Sequence, residues 1–125
     1  MKLARLIDER LHAALGKLSG ESLPLKTLFK LKGIIKTARE EYSKYEEVRR
    51  EALQRHGDKA EDGSLKTNEQ NNVQFSEEGM KAFIAEINEL ANMEVELPTL
   101  TVAELGDKVQ LTFEELESLE GIIVE

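Results

Sequence analysis

The feature that most constrains the fold is a long stretch without proline, residues 25–56. Within it, apolar and aromatic side chains recur at alternating steps of three and four, which is the spacing of a coiled-coil seam. The seam residues are Leu28, Leu31, Ile35, Ala38, Tyr42, Tyr45 and Ala52. As one helix the stretch would be about 48 Å long, more than a compact domain of this size needs. Part of it is therefore expected to pack outside its own chain, which makes self-association the default expectation.

Shorter apolar periods predict a helix on each side of the long one. Leucine, isoleucine and alanine recur at three- and four-residue steps over residues 2–18. Pro24 separates this helix from the next, because the residue before a proline avoids helical angles. Ser76 is a typical N-cap for a further helix over residues 76–92. That helix is long enough to lie antiparallel on about half of the long helix.

Residues 57–72 are polar and rich in turn-forming residues. Apolar residues alternate with polar ones at Val73 and Phe75, after Leu65. Residues 64–75 are therefore compatible with a small β-hairpin, and equally with an exposed flexible loop.

The C-terminal residues, 101–125, are predicted to form a helical cap. Two capping-box patterns predict a helical turn near 102–106 and a helix over 113–120. Residues 94–98, which precede the cap, alternate like an edge strand. The last residues are apolar, so the tail is expected to be docked.

Together these elements predict a mainly α protein. Its expected architecture is an antiparallel helical hairpin with one long coiled-coil-like helix, a small β-hairpin and the C-terminal helical cap. The chain length favours a single domain over residues 1–125.

The charge is polarised along the sequence. Residues 1–39 carry nine Lys or Arg and three acidic residues, whereas residues 40–125 carry 8 and 22. Such polarity can pair the two halves, align subunits head to tail or present opposite patches to different partners. Duplex nucleic acid is not an expected partner, because the acidic part would be repelled by phosphate.

No motif in the sequence indicates catalysis. The chain has no cysteine, and its two histidines lie outside any short ligand motif. Residues 58–69 resemble a calcium loop only in part, since Ala60 and Lys66 stand where ligands belong. We therefore expect no enzyme activity, no metal and no cofactor. Charges interrupt every apolar run near the N-terminus, so we expect a cytoplasmic protein without a membrane span.

The start of the long helix is the best candidate ligand site. Four lysines surround an aromatic ring and a glycine there, and cations, a ring and close backbone approach suit a nucleotide's phosphate and base. The candidate residues are Lys26, Phe29, Lys30, Gly33 and Lys36. A solvated lysine face, or a crossing point for the first helix, would explain the same residues.

Several segments resemble small helical proteins encoded in tailed phages and prophages. These are the two tyrosines and the His-Gly ending within residues 42–57, the Asp-Gly turn and Val-Gln-Phe segment within 62–75, and the closing segment 111–125. The resemblance implies a bacterial cytoplasm and a non-enzymatic role. The helix, hairpin and helix order is also similar to the layout of prefoldin-type chaperone subunits.

Three functions follow as expectations. The first is a phage-type protein that oligomerises and binds or inhibits a host or virion protein. The second is an oligomeric sponge that sequesters a small anionic signalling nucleotide and so counters host defence. The third is a coiled-coil assembly factor or chaperone.

Overall fold

The structure, a computed structural model, describes all of residues 1–125 and is mainly helical. The predicted fold class is confirmed, with one long helix, a small sheet and a C-terminal helix. In chain order the elements are α1 (Leu3–Leu6), α2 (Glu9–Ser19), α3 (Leu25–His56), α4 (Glu77–Ala91), β1 (Leu100–Thr101), α5 (Val102–Leu105), α6 (Phe113–Ser118) and β2 (Ile123–Val124).

The chain divides into two compact units. Unit 1 comprises residues 1–42 and 94–125, and unit 2 comprises residues 43–93. Helix α3 begins in unit 1 and ends in unit 2. Its bounds, Leu25–His56, are those that the sequence predicts.

The prediction of one helix over residues 2–18 is wrong. The helix is interrupted at Ile7 and Asp8, because Asp8 adopts an extended conformation and caps α2. Its carboxylate accepts a hydrogen bond from the backbone N–H of Arg10 at 2.9 Å. The Arg10 guanidinium also binds Asp8, at 2.8 Å, and the side-chain hydrogen bonds with Arg10 lower the pKa of Asp8. An N-cap formed in this way starts a new helix.

Unit 1 has a leucine-rich core built from both ends of its sequence. Helices α2 and α6 pack together, and Lys17 Nζ lies 2.9 Å from Glu115 Oε1 between them. The fully buried large side chains are Leu6, Leu11, Leu15, Leu18, Leu31, Ile34, Leu100, Leu119 and Ile122. Burial of such side chains is the main source of a domain's stability.

In unit 1, a parallel two-stranded sheet joins the C-terminal residues to the segment that precedes α5. β1 pairs with β2 in the register Leu100–Ile123 and Thr101–Val124. Both predicted capping boxes are confirmed, at Thr101–Glu104 before α5 and at Thr112–Glu115 before α6. Residues 94–98 do not form the predicted edge strand; Glu94 makes a single bridge with Lys2.

In unit 2, the chain between α3 and α4 folds into three short segments that are linked by antiparallel β-bridges. Thr67 bridges Val73, which confirms the hairpin pairing within residues 64–75, and a third segment joins it through Lys59 and Leu65. At the tip, the Asn68 side chain accepts hydrogen bonds from the N–H groups of Gln70 and Asn72. The predicted helix over 76–92 is α4, which Ser76 caps.

Two glycines set the close approach of chain segments in unit 2. A Cβ on Gly57 would lie 2.7 Å from the Leu53 carbonyl oxygen. A Cβ on Gly79, in the first turn of α4, would lie 2.5 Å from the carbonyl oxygen of His56, the last residue of α3. These positions therefore require a residue without a side chain. No helix of the structure has the length and apolar character needed to span a bilayer.

Candidate functional site

Lys30, one of the five candidate ligand residues, is engaged within unit 1. Its Nζ atom lies 2.9 Å from Glu104 Oε2, and this interaction is the first cause that lowers the pKa of Glu104. The neighbouring hydroxyl of Thr27 donates to the Glu104 carbonyl at 2.9 Å. These contacts hold the start of α3 against α5.

The other four candidates share one face of α3, and Lys30 lies at the edge of that face, about 40° from Lys26. Lys26, Phe29, Gly33 and Lys36 fall within about 80° of one another on a helical wheel. The Phe29 ring is 80% exposed, and no atom lies within 4 Å of the position of a Cβ on Gly33. Lys36 also lines a cavity. The structure thus keeps four of the predicted residues on one open face and does not enclose them.

Beside that face lies a groove of about 590 Å³, which we name the basic groove. Its lining consists of Ser19, Leu28, Leu31, Lys32, Ile35, Lys36, Arg39 and Glu40. The floor is leucine and isoleucine, and the rim is mostly cationic. Leu25, adjacent on the wheel, is 83% exposed. The first turns of α3 therefore present an apolar surface with basic edges.

The predicted seam is divided between the interior and this surface. Leu31, Ala38 and Tyr45 are buried. Leu28 and Ile35 are half-buried and line the basic groove. Ala52 is also buried, whereas Tyr42 is half-buried and packs edge-on against the His12 ring at a centroid distance of 5.3 Å.

His12 belongs to the packing of α2. Its Nε2 atom donates to the Leu6 carbonyl oxygen at 2.5 Å. With Glu9, Arg39 and Tyr42 it lines a cavity of about 240 Å³. The hydrogen bond and the ring contact explain why a histidine stands at position 12, and no chemical role is needed to explain it.

A second apolar surface of unit 1 is formed at its C-terminal helix, and we name it the acidic patch. It surrounds a cavity of about 360 Å³ lined by Val102, Phe113, Leu116, Glu117, Glu120, Ile123, Val124 and Glu125. Phe113 is 81% exposed and Leu116 is 49% exposed. The sequence predicts a docked tail, which holds for Leu119, Ile122 and Ile123 but not for Leu116 or Val124. The signal that sequence reasoning missed is Phe113 at the first position of a capped helix, where a side chain has few neighbours.

In unit 2, helix α4 buries none of its side chains completely. Phe83 packs against Phe75 with ring centroids 5.1 Å apart. Met80 and Ile84 remain 40% and 48% exposed. The outer face of α4, as we name it, follows one stripe of the helix and consists of Met80, Ile84, Ile87 and Ala91.

Ionic contacts join α4 to the end of α3. Arg55 lies 2.6 Å from Glu86 Oε2, and His56 Nε2 lies 3.1 Å from Glu86 Oε1. The contact with His56, followed by that with Arg55, lowers the pKa of Glu86. The apolar residues of α4 are thus positioned partly by a charged contact.

The structure contains no cluster of His, Asp and Glu that could hold a metal ion. In the segment with partial calcium-loop spacing, Asp62 accepts hydrogen bonds from the N–H and hydroxyl of Ser64. Those bonds lower the pKa of Asp62. The carboxylate therefore serves the turn at Gly63, whose φ is +85°.

No family model, curated protein or solved structure matches the chain. The function of this chain is therefore inferred from its own exposed surfaces.

Proposed function

We propose that this chain is a non-enzymatic, phage-type interaction protein that binds a host or virion protein in the bacterial cytoplasm. The observation that carries the proposal is the outer face of α4. Met80 and Ile84 are apolar and about half exposed on a helix that buries none of its residues. Contiguous apolar surface with a polar surround is typical of protein-binding sites.

An amphipathic segment of the partner is the occupant that this face fits best. Such a segment can place its apolar side chains against a helix face in the manner of helix-in-groove recognition. Methionine adapts to partners of different shape because its side chain is unbranched and flexible. Unit 2 carries 7 Lys or Arg and 11 Asp or Glu, so a partner with basic flanks would be favoured.

The test is affinity capture from a bacterial host lysate with three forms of the protein. Wild type is compared with Met80→Ser/Ile84→Ser and with a control, Lys81→Ser/Asn88→Ser, which changes exposed polar positions of the same helix. We expect one partner that wild type and control retain and the apolar variant loses. A partner retained equally by all three forms would contradict the assignment of this face. Weak capture of many unfolded clients would instead support a chaperone or assembly factor.

A nucleotide sponge is the second candidate. The observation that favours it is the exposed ring of Phe29 beside the open backbone of Gly33 and the side chains of Lys26 and Lys36. Bases stack on exposed rings, and lysines neutralise phosphate. Because a single chain does not enclose these residues, this function would require two or more copies to complete the site.

Thermal shift with a panel of cyclic dinucleotides tests the sponge. We expect a rise in Tm for wild type that Lys26→Glu/Lys36→Glu abolishes. The control, Lys66→Glu/Lys108→Glu, makes the same charge change at exposed positions elsewhere. Absence of any shift for wild type would count against the sponge and leave the α4 proposal unaffected.

A further inference from the structure

Unit 1 presents two apolar surfaces that nothing in the chain covers, the basic groove and the acidic patch. Leu25 and Phe29 are 83% and 80% exposed beside the groove, and Phe113 is 81% exposed in the patch. Side chains of this size are seldom left in water as groups, because exposed apolar area is unfavourable in proportion to its extent. The two surfaces are similar in apolar character and opposite in charge.

The charged rims of both surfaces are available for an intermolecular contact. In the basic groove, Lys32, Lys36 and Arg39 form no ion pair within the chain. In the acidic patch, the same is true of Glu117, Glu120 and Glu125. No basic residue lines the patch, and Glu40 is the only acidic residue that lines the groove. Complementary rims of this kind fix the register of an interface and exclude contacts between like surfaces.

The groove cannot be covered by the patch of the same chain. Val102 of the patch belongs to α5, and α5 is held at Thr27 by the hydrogen bond from the Thr27 hydroxyl to the Glu104 carbonyl. On the helical wheel of α3, the groove residues Leu28, Ile35 and Lys36 lie about 100°, 80° and 180° from Thr27. The patch does not cover the groove in the structure, where Phe113 and Leu25 are both largely exposed, so a contact between the two surfaces requires two copies.

We propose that the acidic patch of one copy docks into the basic groove of a second copy. Phe113 and Leu116 would then cover the apolar floor formed by Leu28 and Ile35, while the acidic rim meets the lysines and Arg39. Because the two contributing surfaces differ, the interface is heterologous, and a pair of copies keeps one free groove and one free patch until a ring closes or a chain grows. This proposal does not depend on the outer face of α4.

Light scattering after size exclusion tests the proposal with two charge-reversed variants. The groove variant is Lys32→Glu/Lys36→Glu, and the patch variant is Glu120→Lys/Glu125→Lys; all four positions are exposed, so the fold is expected to survive. Wild type is expected to be an oligomer and each variant a monomer. In an equimolar mixture the intact acidic patch of the groove variant faces the intact basic groove of the patch variant, and the reversed patch of the one faces the reversed groove of the other. The mixture is therefore expected to associate although each variant alone is a monomer.

The combined variant and a neutral variant complete the design. A chain carrying all four substitutions has exchanged charges on both surfaces and is expected to regain the wild-type size. Phe113→Ser removes an exposed ring without changing charge and is expected to weaken association while the circular dichroism stays that of wild type. Lys66→Glu/Lys108→Glu serves as the control and is expected to leave the size unchanged.

Three results would overturn the proposal. A monomeric wild type would exclude the contact. Groove and patch variants that keep the wild-type size would place the interface elsewhere. Monomeric variants that fail to associate on mixing would contradict a contact of groove with patch.

Discussion

The two units of the molecule differ in what holds them together. All of the largest fully buried side chains belong to unit 1, whereas the buried hydrophobic residues of unit 2 are Tyr45 and Ala52. Unit 2 depends instead on a small hairpin, on close backbone approach at two glycines and on the contacts of Glu86. Since buried apolar area is the main favourable term in folding, unit 1 is expected to be the stable part and unit 2 the part that opens first.

The largest expected effect is a cavity in the core of unit 1. Leu15→Ala removes a fully buried side chain and is expected to cost about 2–5 kcal/mol of unfolding free energy. Ile84→Ala in unit 2 removes a side chain that is 48% exposed and is expected to cost far less. Urea denaturation of both variants measures the difference. Equal losses would show that the outer face of α4 is covered in solution.

The next effect concerns the contact between α4 and the end of α3. Gly79→Ala places a methyl group 2.5 Å from the His56 carbonyl oxygen, so the backbone must shift, at an expected cost of about 1–3 kcal/mol. The control is Gly16→Ala in α2, which meets no atom within 4 Å and is expected to stabilise by up to about 1 kcal/mol. Amide hydrogen exchange of α4 should accelerate in the first variant only. Unchanged protection of α4 would contradict the close approach.

Removal of a helix cap is expected to have a smaller effect on stability, and the effect is expected to differ between the two units. Thr112→Ala in unit 1 and Ser76→Ala in unit 2 each remove a side chain that accepts an N–H bond, worth about 1 kcal/mol. We expect the first to lower the midpoint of global unfolding. The second is expected to raise the exchange rate of α4 amides with little change in that midpoint. The reverse pattern would mean that unit 2 is the more stable part.

The smallest effect is a pH dependence in unit 2. The pKa of Glu86 is lowered in the folded state, chiefly by His56 and then by Arg55, so its stabilising contribution is complete above the ordinary glutamate pKa. It is lost as the pH falls through the lowered value. Glu86→Gln should remove this part of the acid dependence of α4 exchange while leaving unit 1 unaffected. Identical acid profiles for variant and wild type would show that the contact contributes nothing in solution, as many exposed ion pairs do.

The sequence predicts most of the fold because the decisive signals are local. Pro24 and Gly57 mark the ends of α3, and the capping residues mark α4, α5 and α6. The break at Asp8 is missed because the apolar period continues across it. The parallel pairing of Leu100 with Ile123 is missed because strands of two residues have no period and the partners are distant in sequence.

The candidate site is predictable only in part for the same reason. The shared face of Lys26, Phe29, Gly33 and Lys36 follows from helical spacing. The engagement of Lys30 does not, because its partner Glu104 is 74 residues away. The acidic patch likewise joins Val102 to α6 and β2, which no local pattern brings together.

The hairpin of unit 2 has a practical consequence. Its tip, residues 68–71, is exposed and is closed on itself by the side chain of Asn68. The contact that positions α4 is made at Gly79 and does not involve the tip. Exposed tips of this kind tolerate insertions, so a short peptide tag or a fluorophore attached between Gln70 and Asn71 should leave every surface discussed above intact. The molecule thus provides its own attachment point for immobilisation or for distance measurements between copies.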